Sequence, residues 1–469
     1  MSKLFRNLKP GTACALSMCC LLALAGVAAP AAAQDDVDEL RAEVERLRAE
    51  IEELKDEHDQ ATTEGDEPAE IERIEELERR VEILAEELER DRLGEAVPEA
   101  DRMEYGYGPA ASKIYRTAQG LSIGGYGEML YENFDSERDD GSDASATDEL
   151  DFLRAIVYFG YKFDDNWLFN SEIEFEHAST GESGSASVEF AYLDYLHRPE
   201  LNARAGLLLI PMGFVNELHE PTVFLGATRP RIENQIIPTT WRENGFGLFG
   251  EVGQISYRTY IVNGLEGADF SAGGLRGGRQ KGSQALAEDL AWVGRVDWTP
   301  TTGLLIGGSA YIGDSGQDLV DPDGREVELG TSIYEGHVEW RWQGLELRAM
   351  GVQAELDDVA QANRALGLTG DDTLGEDLSG WYLQAGYDVL AATGSDQELI
   401  PYVRWSELDT HDAVPGGFLD DPARDQEILT LGVGWKPFTQ GIIKADWQDF
   451  DNGAGTGTDR FNIALGYIF

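Results

Sequence analysis

A period of two runs through most of this chain. Its final stretch sets Phe461, Ile463, Leu465, Tyr467 and Phe469 on one face, against Asn462, Ala464, Gly466 and Ile468 on the other. Successive side chains of a strand point to opposite faces, so this is a strand with unlike surroundings on its two sides. Alternation of this kind recurs in about sixteen stretches from Gln119 onward, the first near 119–134 and the last near 459–469. In the second, Leu153, Ala155, Val157, Phe159, Tyr161 and Phe163 oppose Arg154 and Lys162. In the third, Trp167, Phe169, Ile173 and Phe175 oppose Glu172, Glu174 and Glu176. In the tenth, Tyr334, Val338, Trp340 and Trp342 oppose Glu335, His337, Glu339 and Arg341.

Large apolar side chains on one face and charges on the other suit a wall between lipid and water. The spacing therefore predicts an all-β chain whose main body is a transmembrane antiparallel β-barrel of about sixteen strands. Connections support it, because short ones (Asp164 to Asn166, Pro199-Glu200, Gln343-Gly344) alternate with long ones rich in Gly, Asp and Ser (135–148, 264–287, 314–327, 357–377, 409–424). Trp167, Trp298, Trp342, Trp381, Trp405 and Trp435 fall where interfacial girdles are expected. The last strand is expected to close on the first, near Leu121 to Tyr131.

Ahead of the barrel the texture changes twice. Lys3, Arg6 and Lys9 precede an apolar run from Thr12 to Ala29 and then Ala31-Ala32-Ala33, which reads as a secretory signal over 1–33. Cys14, Cys19 and Cys20 all lie in it, so the processed chain is expected to have no thiol and no cysteine metal site. Val37, Leu40, Val44, Leu47, Ile51 and Leu54, then Ile74, Leu77, Val81, Leu84 and Leu88, follow heptad spacing among Glu and Arg, so 34–93 reads as a periplasmic coiled coil. Residues 94–118, irregular and rich in Gly, Ala and Tyr, read as a linker to a barrel over 119–469.

The formal charge is −51 at pH 7. Such a surface lacks the basic footprint that nucleic acid needs, so no nucleic-acid partner is expected. No H-E-x-x-H or P-loop occurs, so no catalytic, cofactor or metal residue is assigned. Asp321 to Gly324 and Gly370 to Asp372 are read as solvated turns rather than calcium loops.

A barrel of this size encloses an aqueous channel, and selectivity then rests on what narrows it and on its wall charges. One connection, Pro211 to Trp241, is long and apolar (Phe214, Val215, Leu218, Phe224, Ile232, Ile236), which suggests packing against protein. It is expected to fold inward, with Arg229, Arg231, Arg242 and Glu233 as the candidate constriction. Alternation faces Arg154, Arg204, Arg258, Arg295, Arg341 and Arg404 to the lumen as candidate pore-lining residues. Glu172, Glu174, Glu176, Glu251, Asp297, Glu335, Glu339, Glu346, Asp388 and Asp446 face the same way. Charges of both signs favour a moderately selective pore over a dedicated phosphate channel.

The strand end Gly206-Leu-Leu-Leu-Ile-Pro211-Met-Gly213, the run Pro221 to Leu225, and Trp241-Arg242-Glu243-Asn244-Gly245-Phe-Gly247-Leu-Phe-Gly250 resemble the phosphate-selective porin O and P family over 119–469. That resemblance implies a sixteen-stranded outer-membrane barrel, usually a homotrimer, passing anions through a basic constriction. The last strand, ending on Phe469, resembles those of bacterial outer-membrane barrels, where the terminal aromatic is read by the barrel-assembly machinery. Expected partners are thus outer-membrane lipid, that machinery, a small solute or ion, and further copies of the chain. The expected function is passive diffusion of small hydrophilic solutes, including anions such as phosphate. The alternative is a structural anchor whose coiled coil spaces the membrane or binds periplasmic partners.

Overall fold

The computed structural model describes Arg46 and residues 103–178 and 184–469. The chain divides into two units, Met1–Arg92 and Leu93–Phe469. The expected signal segment and coiled coil fall in the first and, Arg46 aside, lie outside the described residues.

Strands β1 (Gly120–Phe134), β2 (Glu149–Lys162), β3 (Trp167–Glu176), β4 (Ala186–Arg198), β5 (Leu201–Leu209) and β6 (Arg242–Val252) come first. They are followed by β7 (Ile255–Asn263), β8 (Leu290–Thr301), β9 (Leu304–Asp314), β10 (Gly330–Trp342) and β11 (Leu345–Leu356). β12 (Asp377–Tyr387), β13 (Glu398–Ala413), β14 (Asp425–Phe438), β15 (Gly441–Asn452) and β16 (Arg460–Ile468) complete a closed barrel of 16 strands. Each pairs antiparallel with its sequence neighbours, and β1 closes on β16 in register from Tyr126↔Ile468 to Phe134↔Arg460. Phe469 adds a reciprocal pair of backbone bonds to Gly125, 2.9 and 3.1 Å. Among the described residues no helix is long and apolar enough to cross a membrane.

The alternation sorts as expected. Ile123, Val157, Phe246, Leu248, Val296, Leu431 and Ile463 are exposed on the outer face. This continuous apolar exterior, with every backbone ladder closed, is the arrangement lipid demands. Trp167, Trp298, Trp342 and Trp435 stand near the short-turn end, whereas Trp381 and Trp405 lie inside β12 and β13.

The hydrophobic core lies inside the barrel. One cluster joins wall residues (Ile156, Tyr158, Leu168, Phe190, Tyr192) to Met212, Phe214, Ile232, Ile236 and Trp241 of the β5–β6 connection. The same cluster takes in Tyr107, Ala111, Ile114 and Tyr115. Residues 103–118, expected as part of a linker, therefore pack within the lumen, including a one-turn helix, Lys113–Arg116. They enter from the short-turn end, where β1 begins opposite Lys162 of β2. Burying an Ile, Phe or Met side chain is worth about 1.5–3 kcal/mol. A Tyr- and Ala-rich stretch therefore packs against the inner wall rather than staying in water.

Candidate functional site in the lumen

The β5–β6 connection is closed at its neck and stretched across the lumen. Ile210 N–H donates to Trp241 O at 3.0 Å. Asn216, wholly buried, donates through Nδ2 to Ile210 O (2.7 Å) and Trp241 O (3.0 Å) and accepts from Trp241 N–H (2.7 Å). Beyond the neck, the wall holds the segment at several strands. Arg295 of β8 donates to Gly213 O. Arg348 of β11 donates to Val223 O at 3.1 Å. Lys444 of β15 donates to Gly226 O at 2.9 Å, and Asp446 accepts from Ala227 N–H at 2.7 Å. Glu233 is wholly buried and accepts from Val215 N–H (2.6 Å) and from the Tyr382 hydroxyl of β12 (2.9 Å). Its carboxylate thus holds the segment to the wall.

A second anchor lies toward the short-turn end. The Arg204 guanidinium makes a two-pronged ion pair with Asp194, 2.8 and 2.9 Å, and donates to Tyr115 (2.7 Å), Tyr107 (3.1 Å) and Tyr260 (3.2 Å). Its carbon stacks on the rings of Tyr107, Tyr192 and Phe249 at 4.3 to 4.8 Å. A planar, always-charged fork satisfies five acceptors that a lysine could not. Glu220 of the β5–β6 connection meets the N-terminal stretch from the other side, accepting from Ala110 and Ala111 N–H at 2.9 to 3.1 Å.

These contacts divide the lumen-facing arginines into two kinds. Most are neutralised locally. Arg258 and Arg295 share Asp297 and Glu217, with His337 bridging to Asp297 and Glu335. Arg154 lies between Glu128 and Glu174, Arg242 pairs with Glu189 at 3.0 Å, and Arg348 with Glu339 at 2.6 Å. Arg341, near the short-turn end, keeps 40% of its side chain exposed beside Glu339 and Glu346. Paired buried charges contribute little field to a passing ion, so the sign count made from alternation overstates the opposition between charges.

The second kind has no carboxylate partner among the described residues. Arg229 bonds only the Thr239 hydroxyl (3.1 Å) and leaves Nη2 without a partner. Arg231 rests over the Phe450 ring, 4.9 Å away, with Nε free. Arg404 is buried, with Nε free, under the turn at Gly226. Arg276 and Arg279, from the β7–β8 connection, bond backbone carbonyls and Thr hydroxyls at 239 and 240. Burial, followed by the charge of Arg229, pushes the Arg276 guanidinium down to about 10. Burial, then Arg276 and Arg242, pushes Arg279 down to about 9, so both remain charged at neutral pH. Arg276 and Arg279 could not be singled out in the sequence, because nothing there brings the β7–β8 connection over the neck of the inward segment.

One further group was missed. Glu172 of β3, Glu189 of β4 and His219 of the inward segment set ligand-type atoms within 4.8 Å of one another, all buried. The β3–β4 register shifts after Glu172, so that Glu189 and Phe190, adjacent in sequence, both turn inward. Strict alternation hides such a pair, and bulges commonly re-aim a side chain in this way.

No family model matches the chain. Among solved structures, Salmonella typhi OmpF in complex with daunomycin superimposes with a TM-score of 0.52 at 12% identity, over 76% of this chain and 99% of that one. An anion-selective porin from Comamonas acidovorans gives 0.47 at 10% identity, over 75% of this chain and 100% of its own. The fold is that of the outer-membrane porins. An "Uncharacterized protein" of Aquifex aeolicus (strain VF5) is 38% identical over 389 residues, 81% of this chain and 86% of the relative. Similarity at that level over 81% of the chain means that it belongs to the same family as the Aquifex aeolicus protein.

Proposed function

We propose that the protein is a bacterial outer-membrane porin: a narrowed, water-filled passage for passive diffusion of small hydrophilic solutes, with small anions such as phosphate favoured. The carrying observation is the residue of charge left after pairing. Arg229, Arg231, Arg276, Arg279 and Arg404 have no carboxylate partner among the described residues. They sit on or against the inward segment that narrows the barrel. Cations held near one another without counter-charges raise the local concentration of anions, and guanidiniums match phosphate oxygens in shape. In this reading the short-turn end faces the periplasm and the long loops face outward, as in other outer-membrane barrels. The chain assembles as a homotrimer, and its C-terminal strand is read by the assembly machinery.

Reconstitution in a planar bilayer under a KCl gradient tests the proposal. The expected result is conductance with a reversal potential on the chloride side. Exchanging Arg229, Arg231, Arg276 and Arg279 for Gln together should move that potential toward neutrality. An absence of conductance would sink the channel reading. A cation-selective wild type, or an unmoved potential in a folded variant, would sink the anion preference.

A further inference from the structure

We propose that Glu172, Glu189 and His219 form a divalent metal site of the zinc class that clamps the inward segment to β3 and β4. The imidazole is oriented first. His219 Nδ1 lies 2.8 Å from the backbone oxygen of Asn216, and a carbonyl oxygen can only accept, so Nδ1 carries the hydrogen. In the neutral ring Nε2 is then a bare lone pair. It points at two carboxylates: both Glu172 oxygens at 3.1 Å and Glu189 Oε2 at 3.7 Å. A lone pair facing carboxylates in a dry interior is stable only with a positive charge between them.

The separations fit an ion. Zinc–nitrogen and zinc–oxygen bonds of about 2.0–2.1 Å in a tetrahedron put neighbouring ligand atoms about 3.3 Å apart. The two edges from His219 Nε2, 3.1 and 3.7 Å, bracket that value, and all the ligand atoms lie within 4.8 Å of one another. Exposure of the His219, Glu172 and Glu189 side chains is 2%, 0% and 0%. A second observation points the same way: Glu189 Oε2 has no hydrogen-bond partner, while Oε1 is taken by Arg242 at 3.0 Å. Glu174 Oε1, two residues along the same face of β3, is buried with no hydrogen bond, facing only the Arg154 guanidinium at 3.8 Å. Arg154, Arg229 and Arg242 are the guanidiniums around the cluster, and the carboxylates Glu128, Glu172, Glu174, Glu189 and Glu220 outnumber them. A metal-bound histidine characteristically donates its other ring N–H to a backbone carbonyl or carboxylate, as His219 does to Asn216. One nitrogen and two carboxylates suit a borderline divalent ion better than calcium or magnesium, which take oxygen ligands.

The alternative occupant of the gap is a proton, giving a buried imidazolium held by two carboxylates. A titration separates the two. The full chain, purified in detergent, is stripped with EDTA, dialysed and titrated with Zn²⁺, and in parallel with Co²⁺, whose visible absorption reports a low-coordinate nitrogen and oxygen site. The expected result is about one ion per chain, with the Co²⁺ band displaced by Zn²⁺. His219→Gln and Glu172→Gln are each expected to weaken binding by at least about tenfold and to abolish the band. A wild type that binds neither ion, or variants that bind as tightly as the wild type, would overturn the site in favour of the imidazolium. Should either variant fail to fold, the wild-type titration decides alone. Conductance plays no part in the readout, so the result is independent of the channel reading.

Discussion

Replacing Arg204 by Met tests whether the N-terminal stretch is held in the lumen by one buried cation. Methionine retains much of the volume but none of the five hydrogen bonds, and it strands the Asp194 carboxylate, which is wholly buried. Breaking a buried ion pair on one side costs about 3–5 kcal/mol overall. The share borne by residues 103–118 is smaller. They lose the bonds from the guanidinium to Tyr107 and Tyr115, while Tyr115 keeps Asp194 at 2.8 Å and Tyr192 at 2.9 Å. Hydrogen bonds to a charged group contribute about 1.5–3 kcal/mol each, so about 3 kcal/mol is a fair lower figure for the pair. At 1.4 kcal/mol per decade, the stretch should leave its seat about a hundred times more often. Amide hydrogen exchange measures this directly. The Ala110 and Ala111 N–H groups are protected by Glu220, and Tyr115 N–H by Ser112 O. Their exchange should accelerate about a hundredfold, while amides of β9 to β11 on the far wall stay unchanged. Unchanged exchange at 110–115 in a folded barrel would refute the reasoning, because it would mean that apolar packing of Tyr107 and Ile114 alone holds the stretch.

Asn216→Ala should loosen the neck of the inward segment. It leaves the Trp241 N–H and the Ile210 carbonyl without their side-chain partner, a loss of about 2–4 kcal/mol read as faster Trp241 exchange and noisier single-channel current; quiet traces and slow exchange would count against the clasp. Gly206→Ala should destabilise the barrel by about 2–4 kcal/mol, since Gly206 has φ +143° and a Cβ there meets the Ala191 carbonyl of β4. Gly336→Ala, where a Cβ meets nothing within 4 Å, is the neutral control, and the folded band on unheated gels compares the two. Removing Phe469 deletes both of its backbone bonds to Gly125 at the closing seam, and should lower the temperature at which that band is lost.

The wall could be read along the chain. A barrel strand has unlike surroundings on its two faces, so its identity is written in neighbouring residues: Phe461 to Phe469 carries the pattern by itself. Repetition of the pattern, with short and long connections in turn, then implies 16 strands and the closure of β16 on β1. The inward segment was legible for a related reason. A connection bearing Phe214, Ile232, Ile236 and Trp241 has to bury them, and the lumen is where they are buried.

The lumen itself could not be read this way, because its chemistry depends on partners that the chain supplies from far away. Arg204 and Arg404 share a residue type and the same lumen-facing place in the alternation, yet Arg204 is consumed by Asp194 and three tyrosines, and Arg404 is left without a carboxylate. Tyr107, the Arg204 partner, lies 97 residues away, in a stretch whose composition suggests a linker. Glu189 turns inward only because β3 and β4 slip by one residue beside Glu172. The sequence by itself determined the barrel and its lipid-facing surface, since alternation is local and additive along a strand. Which charges remain to meet a solute was decided by tertiary structure alone, since a buried charge is defined by what the fold brings against it.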